Sequence, residues 1–205
     1  MEKNKFTKEE EAKISKLLSK NLAPEYLSYR VAFGRNSVVY VEGWTIISLA
    51  NQIFGFNKWS SSILRMEVDY CDHIDGKYSI GISCTTRITL FDGSYREDVG
   101  FGSCENQRMK SHAFEIARKA ASTDALKRAL RLFGNALGNC CYNKDFIKEV
   151  NKIEKKARDI TTAKDLYRRE NNIKNKDLSD DLDVSCDLED CFFEYHYYRS
   201  NQKEY

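Results

Sequence analysis

Proline occurs once in the 205 residues, at Pro24, which excludes a proline-rich linker or a polyproline recognition segment. No apolar run approaches the ~18 residues that a membrane-crossing helix needs. The opening residues, MEKNKFTKEEEAKISK, are charged and lack the apolar centre of a secretory signal, so secretion is not expected. The seven cysteines are an odd number with no CxxC among them. Cys140 and Cys141 are adjacent, and Cys186 and Cys191 have four residues between them. Such spacing suits buried free thiols in a reducing compartment better than a disulfide framework or a zinc site. The three histidines, His73, His112 and His196, stand beside no cysteine pair, so no metal is expected.

Nucleotide-binding loops are also missing. The one Gly-Lys pair, Gly76-Lys77, falls in a hairpin signal with no glycine five residues earlier, so it is no Walker loop. Gly100-Phe101-Gly102 ends a strand-like run without the third glycine of a dinucleotide fingerprint. No internal repeat is visible, and no cofactor is expected.

What is present is an uneven distribution of charge. The net charge of +2 conceals residues 1–176, with 31 basic against 22 acidic side chains, and residues 177–205, with 2 against 9. A basic body with an acidic end fits a nucleic-acid binder with an interaction tail.

Read in order, Thr7 and Glu10 have capping-box spacing and open an amphipathic helix over residues 7–20. Pro24 starts a short second helix that ends near Arg30, ahead of an irregular turn at Phe33-Gly34-Arg35-Asn36. SVVYVE, residues 37–42, is a strand by its β-branched and aromatic content, and GWTIISLANQIF from Gly43 is a helix closed by Gly55. Strand-like runs over residues 59–71, 77–91 and 94–102 are joined by two Asp-Gly turns, Asp75-Gly76 and Asp92-Gly93, which makes an antiparallel meander. The long helix of SHAFEIARKAASTDALKRALRLFGNALGNCC follows, closed by Gly134, and then a short basic helix over residues 143–152. On the long helix Leu126, Ala129, Leu130 and Phe133 share an arc, and Lys127, Arg128 and Arg131 occupy a roughly opposite one. Ala113, Ile116, Ala117 and Ala120 continue its apolar content at helical spacings.

The fold class is therefore α+β, an antiparallel β-meander packed on a long helix. The division is an N-terminal helical arm over 1–21, one domain over 22–154, and a tail over 155–205. In the tail, residues 161–170 can form a helix, and residues 177–194 carry eight carboxylates and no basic residue. That acidic stretch, with the aromatics after it, has the composition of a segment that folds only on binding.

Catalytic constellations are thin. Glu97 and Asp98 are adjacent and point to opposite faces of a strand, Asp69 and Asp72 flank a turn, and Asp124 lies in the long helix. What remains is cations near aromatics, the pattern that neutralises phosphates and stacks on bases.

At this point longer motifs matter. PEYLSYR, VVYVEGWTIISLANQIFGFNKW, VDYCDHIDGKYSIGISCTTRITLFDGSYREDVGFG and ARKAASTDALKRALRLFGNALGNC together resemble the N-terminal annealing domain of the Rad-fifty-two family of eukaryotic recombination proteins, over roughly residues 22–151. The resemblance implies a β-β-β-α core that assembles into an oligomeric ring of ten or eleven protomers. It also implies ATP-independent annealing of complementary DNA strands in double-strand break repair by homologous recombination, in the nucleus and without enzymatic chemistry. The residues it carries to an inner groove for single-stranded DNA are Arg30, Tyr40, Lys127, Arg128 and Arg131. Those it carries to an outer site for duplex DNA or a second strand are Lys77, Arg108 and Lys110, with Lys144 and Lys148 nearby. Arg108 stands where the family commonly has lysine, and Phe101 where it often has tyrosine. The Phe33–Asn36 turn is less glycine-rich than the family's and adds a cation. Family members usually carry a long C-terminal half that binds the recombinase and the single-strand-binding complex. About fifty residues follow the domain here, so the tail is where either partner would be met.

Two other readings stand beside this one. A monomeric double-stranded RNA binding module also uses three strands and a helix. A structure-specific nuclease would use Glu97, Asp98 or Asp124 with a divalent ion.

Overall fold

The computed structural model describes residues 5–31 and 37–154. The turn containing Arg35, the expected helix over 161–170 and the acidic stretch 177–194 lie outside the described residues. The element order is α1 (Lys8–Leu18), a 3₁₀ turn (Pro24–Tyr26), β1 (Ser28–Val31), β2 (Ser37–Tyr40), α2 (Gly43–Phe54), β3 (Trp59–Ile74), β4 (Lys77–Leu90), β5 (Tyr95–Gln107) and α3 (Lys110–Arg131). Two more 3₁₀ turns (Asn135–Leu137, Asn139–Tyr142) and α4 (Lys144–Val150) complete it. Among the described residues no helix is long and apolar enough to cross a membrane.

The expected meander is present: β3, β4 and β5 form one antiparallel sheet in that order. Asp75 and Gly76 both have positive φ, 50° and 71°, the backbone that a two-residue turn needs to follow the strand twist. The start of the chain departs from expectation. Pro24 initiates a single 3₁₀ turn, and Arg30 then lies within β1, which pairs antiparallel with β2 in a separate two-stranded sheet. Proline favours a first helical turn but cannot carry it further, and the residues after it find a strand partner instead.

α1 is capped as its spacing predicts: Thr7 Oγ1 accepts from the Glu10 amide, and the Glu10 carboxylate accepts from the Thr7 amide. Lys58 then ties this helix to the sheet. Its ammonium pairs with Glu10 and sits 5.5 Å from the ring centres of both Phe6 and Phe91. α2 buries Ile46, Leu49, Ala50 and Phe54 against Leu130 and Leu137, and ends at Gly55 with φ 95°.

α3 lies across β4 and β5 in close contact. Its buried stripe is Ala113, Ala117, Ala121, Ala125 and Ala129, one small residue every fourth position. Ala120, assigned above to the apolar set, is exposed, while Ala121 and Ala125 are fully buried. The reason lies in β5, where Gly100 and Gly102 face the helix. A Cβ on Gly100 would come 2.1 Å from the Ala125 amide nitrogen, and one on Gly102 would come 2.3 Å from the Ala117 carbonyl oxygen. The glycines of the GFG run therefore let a helix backbone sit almost on a strand backbone.

Gly134 also differs from its expected role. The helix stops at Leu132, and Gly134 itself is extended, with φ 161°. It is required by proximity, since a Cβ there would meet the Leu18 carbonyl oxygen at 2.6 Å.

β3 is one edge of the sheet, with β5 at the other. Its pairing with β4 places Ile63, Met66 and Val68 on the face that α3 covers elsewhere, opposite Thr86, Cys84 and Ile82. The helix does not reach them, and they are 57%, 37% and 47% exposed.

Candidate nucleic-acid interface

The second half of α3, the β1–β2 hairpin and the 3₁₀ turns after α3 surround a cavity of about 270 Å³. Arg30, Tyr40, Lys127, Arg128 and Arg131 all line it, although they come from three separate parts of the chain. The expected inner-groove residues thus converge in space. α3 supplies three of them because its small-residue stripe is committed to the sheet, which turns Lys127, Arg128 and Arg131 toward the hairpin. Short alternating strands supply Arg30 and Tyr40.

Four cations around one cavity need internal organisation. Tyr40 is half-buried, with Lys127 Nζ 5.3 Å and Arg30 Cζ 5.6 Å from its ring centre, so one aromatic face system holds two cations. The Lys127 ammonium also donates to the Val41 carbonyl at 3.3 Å. Asp98 sits between the two arginines, 3.5 Å from Arg128 Nε and 3.4 Å from Arg131 Nη2. The first of these is an ion-pair contact without hydrogen-bond alignment: Nε of Arg128 and Nε of Arg131 are both buried without an acceptor. Arg131 lies over the Tyr142 ring, its Cζ 4.2 Å from the centre. With Asp98 and Asp124 as the facing carboxylates, the cavity keeps an excess of positive charge.

Burial pushes the Lys127 ammonium below the usual lysine range; Asp124 partly offsets this, and Arg30 adds to it. The charged form is present below that lowered value and lost as pH rises through it. Affinity for a polyanion is therefore expected to fall at lower pH than an ordinary lysine would allow. Lys127→Arg stays charged and is expected to remove an alkaline loss of about threefold, read by anisotropy titrations across pH. Cys141, on the cavity wall, lowers the Cys140 thiol below its ordinary value through the hydrogen bond between the two side chains.

The expected outer set divides in two. Lys77 opens β4, and the Tyr78–Gln107 pairing brings Arg108 and Lys110 to the same end of the sheet. His73 stacks on Tyr78 there, ring centres 4.3 Å apart. Lys144 and Lys148 lie on α4, beyond the opposite end of α3. The 22 residues of that helix separate the groups by ~30 Å, so the lysines of α4 are not near Lys77. Lys148 also stands 3.6 Å from Asp145 on its own helix.

The carboxylates weighed for metal chemistry are occupied otherwise. Glu97 pairs with Arg87 on one face of β5, Asp98 with the arginines on the other, and Asp124 accepts from the Phe101 amide at 3.2 Å. Among the described residues no group of three or more His, Cys, Asp or Glu is placed to hold a metal ion. Sequence reasoning missed Asp98 as the organiser of the arginines, and Tyr142 altogether. Strand alternation gives Asp98 a face but no partner, and two glycines between Arg131 and Tyr142 remove any periodicity linking them.

Residues 10–160 match the family described as Rad52/22 family double-strand break repair protein. The chain is 54% identical over 137 residues to the DNA repair and recombination protein RAD52 of Saccharomyces cerevisiae, covering 67% of this chain and 29% of that protein. It is 51% identical over 149 residues to the DNA repair and recombination protein rti1 of Schizosaccharomyces pombe, covering 72% and 40%. Against the DNA repair and recombination protein mus-11 of Neurospora crassa the figures are 44% over 182 residues, 87% and 30%. The chain spans about a third of the length of these relatives.

Proposed function

This chain belongs to the Rad52/22 family of double-strand break repair proteins, and from that premise we propose that its cationic groove binds single-stranded DNA and promotes annealing of complementary strands without ATP. The observation that carries the reading is the convergence of Arg30, Lys127, Arg128 and Arg131 around Tyr40 in one cavity. Cations held in place by Asp98 and Tyr40 grip phosphates without reading sequence, which leaves base edges free to test a partner strand. They also offset the repulsion between two polyanions, the main barrier to bringing strands together. The protein makes and breaks no bond in this scheme.

The protomers form a closed ring of roughly ten or eleven, so that grooves join into one track. The support for this is β3: a 16-residue edge strand with apolar Ile63, Met66 and Val68 uncovered is a surface suited to a second subunit. Lys77, Arg108 and Lys110, clustered at the other end of the sheet from Lys144 and Lys148, serve a second DNA strand or duplex. The site of action is the nucleus.

Native mass measurement with an annealing assay lacking ATP tests the proposal. A particle near ten or eleven times the 23.8 kDa protomer that speeds pairing of complementary oligonucleotides is expected. A protomer-sized particle that prefers A-form RNA duplex would replace the reading with that of a double-stranded RNA module.

A further inference from the structure

We propose that Tyr142 is a base-stacking residue of the groove, one that recognises an unpaired nucleobase and so favours single strands over duplex; this rests on the groove holding single-stranded DNA. Tyr142 and Tyr40 both line the cavity, but they are placed differently. Tyr40 is half-buried, with Lys127 and Arg30 on it, and its ring is committed to holding those cations. Tyr142 is 62% exposed, the most open aromatic of the cavity. One face of its ring is covered by the Arg131 guanidinium at 4.2 Å. Arg131 is fixed in turn by Asp98, so the ring is backed by a held, planar cation.

A ring supported on one side and open on the other is a platform for a third planar group. The group available beside a phosphate-binding floor is the base attached to the same backbone. If the phosphates sit on Lys127, Arg128 and Arg131, a base turned away from them passes the exposed rim where Tyr142 stands. A duplex cannot use this platform, because its bases are already stacked on one another. The contact therefore discriminates by strandedness and not by sequence, since every base has a π-face.

The test uses the full chain and two labelled strands of equal length, oligothymidylate and an abasic oligonucleotide that keeps the phosphates and lacks the bases. The native protein is expected to bind oligothymidylate about tenfold tighter than the abasic strand. Tyr142→Leu is expected to lose most of that preference, weakening oligothymidylate binding several times more than abasic-strand binding. Tyr142→Phe, which keeps the ring, should restore it. A Tyr142→Leu variant that keeps the full preference overturns the proposal. So does one that binds both strands more weakly by the same factor, because Tyr142 would then act only by positioning Arg131. Native protein that binds neither strand in a salt-dependent way overturns the reading of the groove itself, and this proposal with it.

Discussion

Gly102→Ala is expected to lower the stability of the domain by roughly 3 kcal/mol or more, and Gly100→Ala to do the same. Each added methyl meets helix backbone: the Ala117 carbonyl oxygen and Ala121 amide nitrogen, both 2.3 Å away, for residue 102, and the Ala125 amide nitrogen at 2.1 Å for residue 100. Backbone atoms inside a hydrogen-bonded helix cannot rotate aside as a side chain can. The only relief is to lift α3 from the sheet, which opens the packing of Ile80, Ile82 and Cys84 against the alanine stripe. For a protein of this size such a loss is a fall of very roughly 6–12 °C in melting temperature, readable by calorimetry or urea titration. Gly76→Ala is the control. Its φ of +71° is strained for alanine, but a Cβ there meets nothing within 4 Å, so a loss of about 1 kcal/mol is expected. Equal losses at residues 76 and 102 would refute the account in which close approach of helix and strand decides the packing.

The second large effect concerns the groove. Lys127→Ala, Arg128→Ala and Arg131→Ala are each expected to weaken single-strand binding about tenfold at moderate salt. Each should reduce the slope of log affinity against log salt by about 0.7–1. The affinity loss at Arg128 and Arg131 has two parts. One is the missing phosphate contact; the other is Asp98, whose carboxylate then faces the DNA with half its compensation. Adding Asp98→Asn to Arg128→Ala is therefore expected to recover about threefold in affinity with no recovery of slope, since a charge is removed from the wall but no phosphate contact is regained. Lys148→Ala is expected to leave single-strand affinity unchanged within about twofold, because α4 lies outside the cavity and Lys148 already faces Asp145. Binding curves at four salt concentrations measure all of these. Unchanged slopes in all three α3 variants would remove the groove from the proposed function.

The elements most legible in the sequence were those with local causes. The Thr7–Glu10 box and the Asp75-Gly76 turn each follow from hydrogen bonds or backbone angles set within a few residues, and each is where it was expected. β1 was not legible, because a four-residue strand is defined by its partner. Nothing near Arg30 says that Val38 will lie opposite it. The alanine stripe was read partly wrong for the same kind of reason. Helical periodicity gives arcs, but whether Ala120 or Ala121 turns inward depends on Gly100 and Gly102 in another element.

By itself, then, the sequence determined the family, the α+β class, the order of most elements and the identity of the cations, since these depend on residue type and short-range spacing. Only the tertiary structure decided that Arg30 and Tyr40 meet Lys127, Arg128 and Arg131 around one cavity, that Asp98 holds two of those arginines, and that Tyr142 stands exposed beside them. It also separated Lys144 and Lys148 from Lys77 by the length of a helix. Charge and ring are properties of a residue, whereas a site is a set of distances. Those distances are fixed here by how closely α3 settles onto two glycines.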